Sequence, residues 1–173
     1  MLFKSSSVSS SVLDMLREDH QKVQGLFDEF EEAKDSRAKQ RIAGTALKEL
    51  EIHAALEEEL IYPTIRPELD DDKLMDEAIE EHHVVHVLIG ELKKMKAGDE
   101  RFDAKFTVLA ENVKHHIKEE ESEMFPKAED CEIDWEALEE KVQKRKEQLM
   151  ADAEGRTQRN GHTSKRRAAT KKR

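Results

Sequence analysis

Apolar residues recur every three or four positions along most of this chain, which is the spacing of one face of an α-helix. The pattern forms four long segments, separated by turn residues or by proline. These segments predict helices over residues 12–33, 37–61, 73–96 and 102–124. Four successive amphipathic helices favour an all-α fold, an antiparallel up-down-up-down four-helix bundle.

Two of these helices end, by prediction, at an aromatic residue followed by proline. Proline disfavours the helical conformation of the residue before it, so Tyr62-Pro63 predicts the end of the second helix and Phe125-Pro126 that of the fourth. Residues 64–72 are then the longest connection. A shorter fifth helix is predicted over residues 135–150, with Asp134 as its N-cap.

Composition divides the chain into three predicted parts. The serine-rich residues 1–11 predict a flexible N-terminal arm, residues 12–152 the bundle with its C-terminal helix, and residues 153–173 a disordered basic tail. Neither a membrane span nor a secretory signal is apparent, so no membrane partner is expected. The single cysteine, Cys131, excludes an internal disulfide framework and indicates a reducing compartment, hence a cytoplasmic protein.

The charge is strongly uneven along the chain. Residues 156–173 contain eight Lys or Arg and no acids, which leaves 22 basic and 40 acidic residues, a net charge of −18, on residues 1–155. Because affinity for phosphates depends on Lys and Arg, the acidic body argues against a nucleic-acid partner. The tail KRRAATKKR, residues 165–173, has the composition of a nuclear-localisation or nucleic-acid-contacting segment. A disordered tail that aids solubility or screens the acidic bundle is the simpler interpretation.

Histidine and glutamate interrupt the apolar stripe at matching places in two segments. HAALEEELIYP at residues 53–63 and HIKEEESEMFP at residues 116–126 each carry glutamate four residues after histidine. Positions i and i+4 share one face of a helix, so each segment presents an imidazole beside a carboxylate. Such mixed nitrogen and oxygen donors suit a transition metal such as iron.

The repeat extends to the first and third helices. Residues 18–30 align with residues 80–92, which matches His20 with His82, and the second copy adds His86 where the first has Gln24. The chain is therefore interpreted as two similar helix pairs, whose donors face each other within one bundle.

Seven predicted ligands result, and all of them lie in register with apolar neighbours: His20, His53, Glu57, His82, His86, His116 and Glu120. Burying one unpaired polar group costs roughly 2–7 kcal/mol, against about 5–15 kcal/mol of net stability for a whole domain. Coordination of metal ions would give these groups partners. His83 and His115 lie about 100° from the ligands beside them and are predicted to be outer or surface residues.

Glu57 and Glu120 occupy the places best suited to bridge two ions. With five imidazoles, two bridging carboxylates and a solvent bridge, one metal is six-coordinate and the other is one ligand short. Dioxygen, peroxide or nitric oxide could bind at that open position.

Taken together, these motifs resemble those of the hemerythrin-like (HHE cation-binding) family over residues 10–127. The resemblance rests on EDH at residues 18–20, HxxxE at 53–57, HxxxH at 82–86 and HHxxxE at 115–120. It implies a four-helix bundle with a non-haem di-iron centre that binds dioxygen or serves as an oxygen, redox or iron sensor. It also implies that His82, His86 and His116 hold one iron and that His20 and His53 hold the other, with Glu57 and Glu120 bridging.

The second carboxylate departs from the pattern of oxygen-carrying hemerythrins, which use aspartate five residues after the last histidine. Five residues after His116 is Glu121, whereas the repeat favours Glu120. Glu119 lies four residues after His115. The frame set by the two prolines supports His116 with Glu120, and Glu121 remains the alternative.

The leading functional hypothesis is a cytoplasmic di-iron protein that binds dioxygen or a similar small ligand for storage, delivery or sensing. The alternatives are a di-iron redox enzyme, acting as a peroxidase, an oxidase or in nitric-oxide handling, and a protein for iron storage or redox-inert metal binding. The sequence shows no nucleophile-base arrangement and no phosphate-binding glycine loop, so hydrolase and kinase activities have no support. It carries no indication of the oligomeric state.

Overall fold

A computed structural model describes the backbone of residues 9–170 and the side chains of residues 11–155. Within this range all regular structure is helical. The elements are α1 (Ser9–Glu32), α2 (Ser36–Leu56), π1 (Glu57–Ile61), α3 (Tyr62–Leu69), α4 (Asp72–Leu92), α5 (Phe102–Glu119), π2 (Glu120–Met124), α6 (Phe125–Glu129) and α7 (Trp135–Thr170). The segments π1 and π2 are single wide turns of π-helix that lead directly into the helices after them.

Four long helices, α1, α2, α4 and α5, form the predicted bundle. Helix α1 packs against α2 and α4 against α5, while α1–α5 and α2–α4 contacts join the two pairs. Helix α7 lies across α1, α2 and π1. The prediction of an all-α four-helix bundle with an additional C-terminal helix is confirmed.

Aspartates begin three of the helices. The carboxylates of Asp35, Asp71 and Asp134 accept hydrogen bonds from backbone N–H groups three residues on, at the starts of α2, α4 and α7. The Asp134 cap was predicted.

Gly98 makes the turn before α5 with a φ of +103°, a conformation that a residue without Cβ adopts easily.

The predicted helix ends at Tyr62-Pro63 and Phe125-Pro126 were wrong. In π1 the N–H of Tyr62 donates to the carbonyl of Glu57, five residues back. The wide turn therefore closes on the last residue before the proline, which has no N–H to donate, and the chain stays helical to Leu69. Most of the predicted connection 64–72 is thus α3, and π2 carries α5 into α6 in the same way.

The C-terminal helix is longer than predicted. Helix α7 begins at Trp135 as expected but extends to Thr170 rather than ending near residue 150. Residues 151–170 contain no proline, and most of them are tolerated in helices, so little in this segment stops a helix. The predicted boundaries at residues 11 and 152 stay predictions, and residues 1–8 and 171–173 of the arm and tail lie outside the described residues.

The three-four spacing predicts that Ile79, His82 and His86 of the third long helix face inward, and the stripe that α4 buries differs from this prediction. Ala78 and Val85 are buried, whereas Ile79 and His86 are exposed. Spacings of three and of four residues both fit one face of a helix, so either member of the adjacent pairs 78/79 and 85/86 could have faced inward.

No helix in the described part of the chain is long and apolar enough to cross a membrane.

Candidate metal centre

Six of the seven predicted ligands are buried together between the two halves of the core. They are His20, His53, Glu57, His82, His116 and Glu120. Along each long helix these residues separate one apolar cluster, which includes Leu13, Met75 and Phe125, from a second that includes Phe27 and Phe106. The centre is therefore a polar layer across the middle of an otherwise apolar bundle.

The first donor set combines His20 and His53 with both carboxylates. The Nε2 atoms of the two imidazoles are 3.1 Å apart. His53 Nε2 lies 3.0 Å from Glu57 Oε1, and His20 Nε2 lies 3.2 Å from Glu120 Oε2. With metal–nitrogen bonds of about 2.0–2.1 Å, two nitrogens that share one ion stand about 3 Å apart, so this spacing fits an ion.

The second donor set mirrors the first with His82 and His116. Their Nε2 atoms are also 3.1 Å apart, and His82 Nε2 lies 3.3 Å from Glu57 Oε2. The Nε2 atom of His116 lies 3.7 Å from Glu120 Oε2. Glu57 thus directs one oxygen to each set, which is the arrangement that a carboxylate bridging two ions requires.

Unpaired oxygens show that cations fit this layer. Both carboxylate oxygens of Glu57 and Oε2 of Glu120 are buried without a hydrogen-bond partner. A buried carboxylate that lacks partners carries a large desolvation cost. Two cations among four imidazole nitrogens would give these oxygens ligand bonds and balance their charge.

Without metal, the positive charges of protonated imidazoles balance the negative charges of the buried carboxylates. Burial alone would lower the pKa of His53, but the Glu57 carboxylate outweighs it and raises that pKa to about 10. Burial would likewise lower the pKa of His82, which Glu57 raises to about 9. Burial opposes ionisation of Glu57, yet the neighbouring His53 holds its pKa well below the usual range. An entering metal ion must therefore displace protons from the imidazoles.

Outer carboxylates orient three of the four imidazoles. Each of these contacts is made to Nδ1, the ring nitrogen directed away from the centre: Glu121 to His20 at 2.7 Å, Glu58 to His82 at 2.8 Å and Glu81 to His116 at 2.7 Å. An acceptor at Nδ1 holds the proton there and leaves Nε2 free to bind metal. Glu121 thus supports His20 from outside, while Glu120 lies at the centre.

His86 does not reach the centre. Its side chain is 44% exposed, and its Nε2 lies 2.7 Å from Glu58 Oε1, the same oxygen that contacts His82. Helix α4 turns His82 and Val85 inward, which places His86 at the edge of the stripe. In the structure His86 contacts the same carboxylate as His82 and does not face the polar layer.

This placement predicts different outcomes for two histidine variants. We expect His86→Ala to keep the wild-type metal stoichiometry, because it removes an exposed side chain that contacts Glu58 and the His82 ring but no buried donor. We expect His82→Ala to lose at least one ion per chain, because a buried donor is removed. Metal analysis after dialysis measures both, with the exposed His83→Ala as a control; a lost ion in His86→Ala would restore His86 as a ligand.

Tyr62 is a member of the centre that the sequence pattern did not reveal. Its buried hydroxyl donates to Glu120 Oε1 at 3.0 Å and lies 3.2 Å from His82 Nε2 and 3.4 Å from His116 Nε2. Phe125, its counterpart in the repeat, stacks on His20 with ring centroids 5.9 Å apart. The two halves therefore differ inside the centre by one phenolic oxygen.

The wide turn of π1 explains this placement. In an α-helix, residue i+5 lies about 140° around the axis from residue i. In π1 the hydrogen bond from Tyr62 to Glu57 places residue 62 one turn above residue 57, on the same face. The apolar spacing of the sequence does not reveal such a wide turn. The aromatic-proline pair at the same place in both repeats, Tyr62-Pro63 and Phe125-Pro126, is the sequence feature that could have indicated it.

The other flanking histidine, His115, lies at the surface as predicted. Its Nε2 is 3.3 Å from Glu81 and 3.2 Å from Glu119, and its side chain is 62% exposed. Solvent screens charges in such a group, so we interpret it as a solvated ion-pair cluster.

A small cavity adjoins the four imidazoles on the side away from Tyr62. Its volume is about 30 Å³, and besides the four imidazoles it is lined by Asp19, Glu49 and six apolar side chains, which are Val23, Leu50, Ala54, Val85, Val113 and Ile117. A cavity needs only about 10–15 Å³ to hold one water. This one has room for a ligand of a few atoms and not for an organic substrate.

Comparison with known proteins identifies the domain. Residues 11–128 match the model of the hemerythrin HHE cation binding domain. The chain is similar to a crystal structure of a hemerythrin HHE cation binding domain-containing protein from Mycobacterium kansasii, with a TM-score of 0.66 and 26% identity over 88% of this chain and 90% of that one.

Two curated relatives are longer than the segment they share with this chain. A protein named DNA nickase from a Nostoc species is 33% identical over 118 residues, which are 66% of this chain and 32% of that protein. An uncharacterized hemerythrin-like protein of Schizosaccharomyces pombe is 26% identical over 117 residues, 66% of this chain and 58% of that protein. Since the family match covers most of the chain and the donors lie in one buried layer, the chain belongs to the hemerythrin HHE cation-binding domain family.

Proposed function

We propose that this domain is a non-haem di-iron protein that binds dioxygen or a similarly small ligand for storage, delivery or sensing. In this proposal, His20 and His53 hold one iron, His82 and His116 hold the other, and Glu57 and Glu120 lie between them. Bound iron would supply a redox-active site with an affinity for small diatomic molecules. The imidazoles supply neutral donors, while the outer carboxylates keep each ring oriented.

The small apolar cavity beside the imidazoles carries the proposal. A ligand there would contact Val23, Val85 and Val113 on one side and the metal layer on the other. Its volume excludes amino acids, sugars and nucleotides from the inner site. The apolar part of the wall would also keep bulk water away from a bound diatomic ligand. This favours reversible binding of the ligand over its chemical conversion.

Tyr62 supports a second candidate, a di-iron redox enzyme that handles peroxide, dioxygen or nitric oxide. Burial, together with the Glu120 and Glu57 charges, raises the pKa of the phenol, so without metal it is a neutral hydrogen-bond donor. A cation at the second donor set would instead favour the phenolate as a ligand. An anionic oxygen ligand favours the ferric state, which opposes reversible dioxygen binding.

Tyr62→Phe tests whether the phenol takes part in binding iron. If Tyr62 is a ligand, the iron-loaded wild type has a visible absorption band from phenolate-to-iron charge transfer, and the variant loses it. We expect the variant to retain two irons, because four imidazoles and both carboxylates remain. Phe125→Leu is the matched control at the counterpart position; an unchanged visible spectrum in Tyr62→Phe would show that the phenol is not a ligand.

The proposal as a whole is tested by metal analysis and by optical spectra of the reduced protein before and after exposure to air. Two irons per chain and a reversible spectral change support dioxygen binding. Two irons with rapid irreversible oxidation support the enzyme, and a stoichiometry well above two supports iron storage. Protein that takes up no iron, or binds zinc in its place, would refute a di-iron function.

The Nostoc relative raises the question of a nucleic-acid partner. The shared segment is 32% of that protein, so its nickase activity is not transferred to this chain. Residues 1–155 carry a net charge of −18, which opposes binding to phosphates. We propose that the bundle does not bind nucleic acid and that any such contact belongs to the basic residues 156–173.

A cytoplasmic location is part of the proposal. Cys131 is a free thiol whose sulfur lies 3.2 Å from the carbonyl oxygen of Glu68 and 3.3 Å from that of Lys127. A chain with one cysteine and no internal disulfide is typical of a reducing compartment.

A further inference from the structure

His53 is the exception among the four imidazoles of the centre. Its Nδ1 atom is buried and has no hydrogen-bond partner, whereas the other three rings have a carboxylate oxygen at 2.7–2.8 Å. The nearest carboxylate is that of Asp19, whose Oδ2 lies 3.7 Å from His53 Nδ1, beyond hydrogen-bonding distance. Asp19 is therefore close enough to His53 for an ion pair but too far for a hydrogen bond to Nδ1.

Lys146 binds the carboxylate of Asp19 and fixes its position. Its Nζ lies 2.8 Å from both carboxylate oxygens of Asp19, and both side chains are largely buried. A two-oxygen contact to an ammonium fixes the orientation of the carboxylate and keeps Oδ2 at 3.7 Å from His53 Nδ1. Lys146 and His53 thus compete for one carboxylate.

Lys146 belongs to α7, the helix added to the four-helix bundle. One face of α7 is buried by Trp135, Leu138 and Val142 in the apolar cluster that includes Leu13 and Phe125. Its neighbour Arg145 makes a two-nitrogen ion pair with Glu59 of π1. The helix is therefore docked beside the first donor set, and Lys146 is its contact with the partner of a ligand.

We propose that Lys146 is a positioning residue through which α7 lowers the metal affinity of the first donor set. The inference rests on the proposed metal centre. While Lys146 holds Asp19, His53 lacks the acceptor that would orient its ring and raise its basicity as a ligand. If α7 shifts outward, Asp19 turns to His53 Nδ1 and this set binds metal more tightly. By thermodynamic reciprocity, metal bound at His53 favours release of Lys146, so the occupancy of the centre is transmitted to α7.

The test compares metal binding by Lys146→Met and by the wild-type full chain. Removing an outer partner of a ligating histidine typically changes metal affinity 10–100-fold, so supplying one should strengthen binding by roughly tenfold. We expect Lys146→Met to lower the Kd for the weaker of two bound Co²⁺ ions by that factor in a chelator competition. The visible spectrum of that Co²⁺ should change as well, since its imidazole ligand is altered. Lys144→Met is the matched control, because it removes an exposed lysine of the same helix that does not contact Asp19.

Two further variants show whether the effect passes through Asp19. Lys146→Arg retains a cation and should keep a Kd near the wild-type value. In the Asp19→Asn background, Lys146→Met should have no effect, because the carboxylate for which it competes is gone. Unchanged or weaker binding in Lys146→Met, or the same change in Lys144→Met, would overturn the inference. Failure of the wild type to bind Co²⁺ would instead overturn the proposed metal centre.

Discussion

Glu57→Gln is expected to abolish tight binding of both metal ions while leaving the helical bundle folded. Glu57 directs Oε1 to one donor set and Oε2 to the other, and both oxygens lack any other partner. Glutamine matches the size of glutamate but carries no charge and offers one oxygen, so it cannot bridge two cations. Each set would then keep two imidazoles and share the single carboxylate of Glu120.

Metal analysis after dialysis, together with circular dichroism, measures this outcome. We expect the metal content to fall from two ions per chain to well below one, with helicity near the wild-type value. Glu59→Gln is the matched control, since Glu59 lies in the same wide turn but faces Arg145 at the surface. Two ions retained at wild-type affinity in Glu57→Gln would show that Glu57 is not a bridging ligand.

Removal of metal is expected to lower the midpoint of thermal unfolding by about 5–10 °C. An ion that binds only the folded state stabilises it by about 2.7 kcal/mol when its free concentration is 100 times its Kd. For a chain of 150–250 residues, each kcal/mol shifts the midpoint by about 2–4 °C. The metal-free protein remains folded in this prediction, because imidazoles and carboxylates still pair across the polar layer.

Calorimetry of chelated and reloaded protein tests this shift, and its size should grow with the free metal concentration. The Glu57→Gln variant provides the control, because its midpoint should not respond to metal. A wild-type midpoint that is equal with and without metal would contradict a structural contribution from the ions.

The apolar period and the repeated histidine-glutamate motif predicted the bundle and seven inward polar residues, of which six are buried. The three-four spacing predicts that Leu16 and Phe27 of α1 and Phe106 of α5 face inward, and all three are buried. His20 and His116 lie on the same stripes, so their burial followed from the same pattern. This success reflects straight α-helices, in which angular position depends only on the count of residues.

The errors occurred where counting residues along the chain did not give the direction of the side chain. The wide turn after Glu57 moved Tyr62 from the far side of the helix into the centre, and the sequence marked it only by the proline that follows. On α4, adjacent apolar candidates allowed two stripes, and the incorrect one included His86. The structure adds a second difference between the halves, Tyr62 against Phe125, to the difference between His86 and Gln24 that the sequence shows, and metal binding by His86 stays a prediction.

The polar layer also has a consequence for how the molecule opens. It divides the apolar core into two clusters, so the middle of each long helix is held by charged groups rather than by continuous packing. Without metal this layer is the weakest part of the interior, and transient separation of the helices should occur there before either end unfolds. Hydrogen exchange would then be fastest at mid-helix, the reverse of ordinary fraying from the ends. Such openings give cations and chelators a route to the ligands, so the ions can exchange without global unfolding.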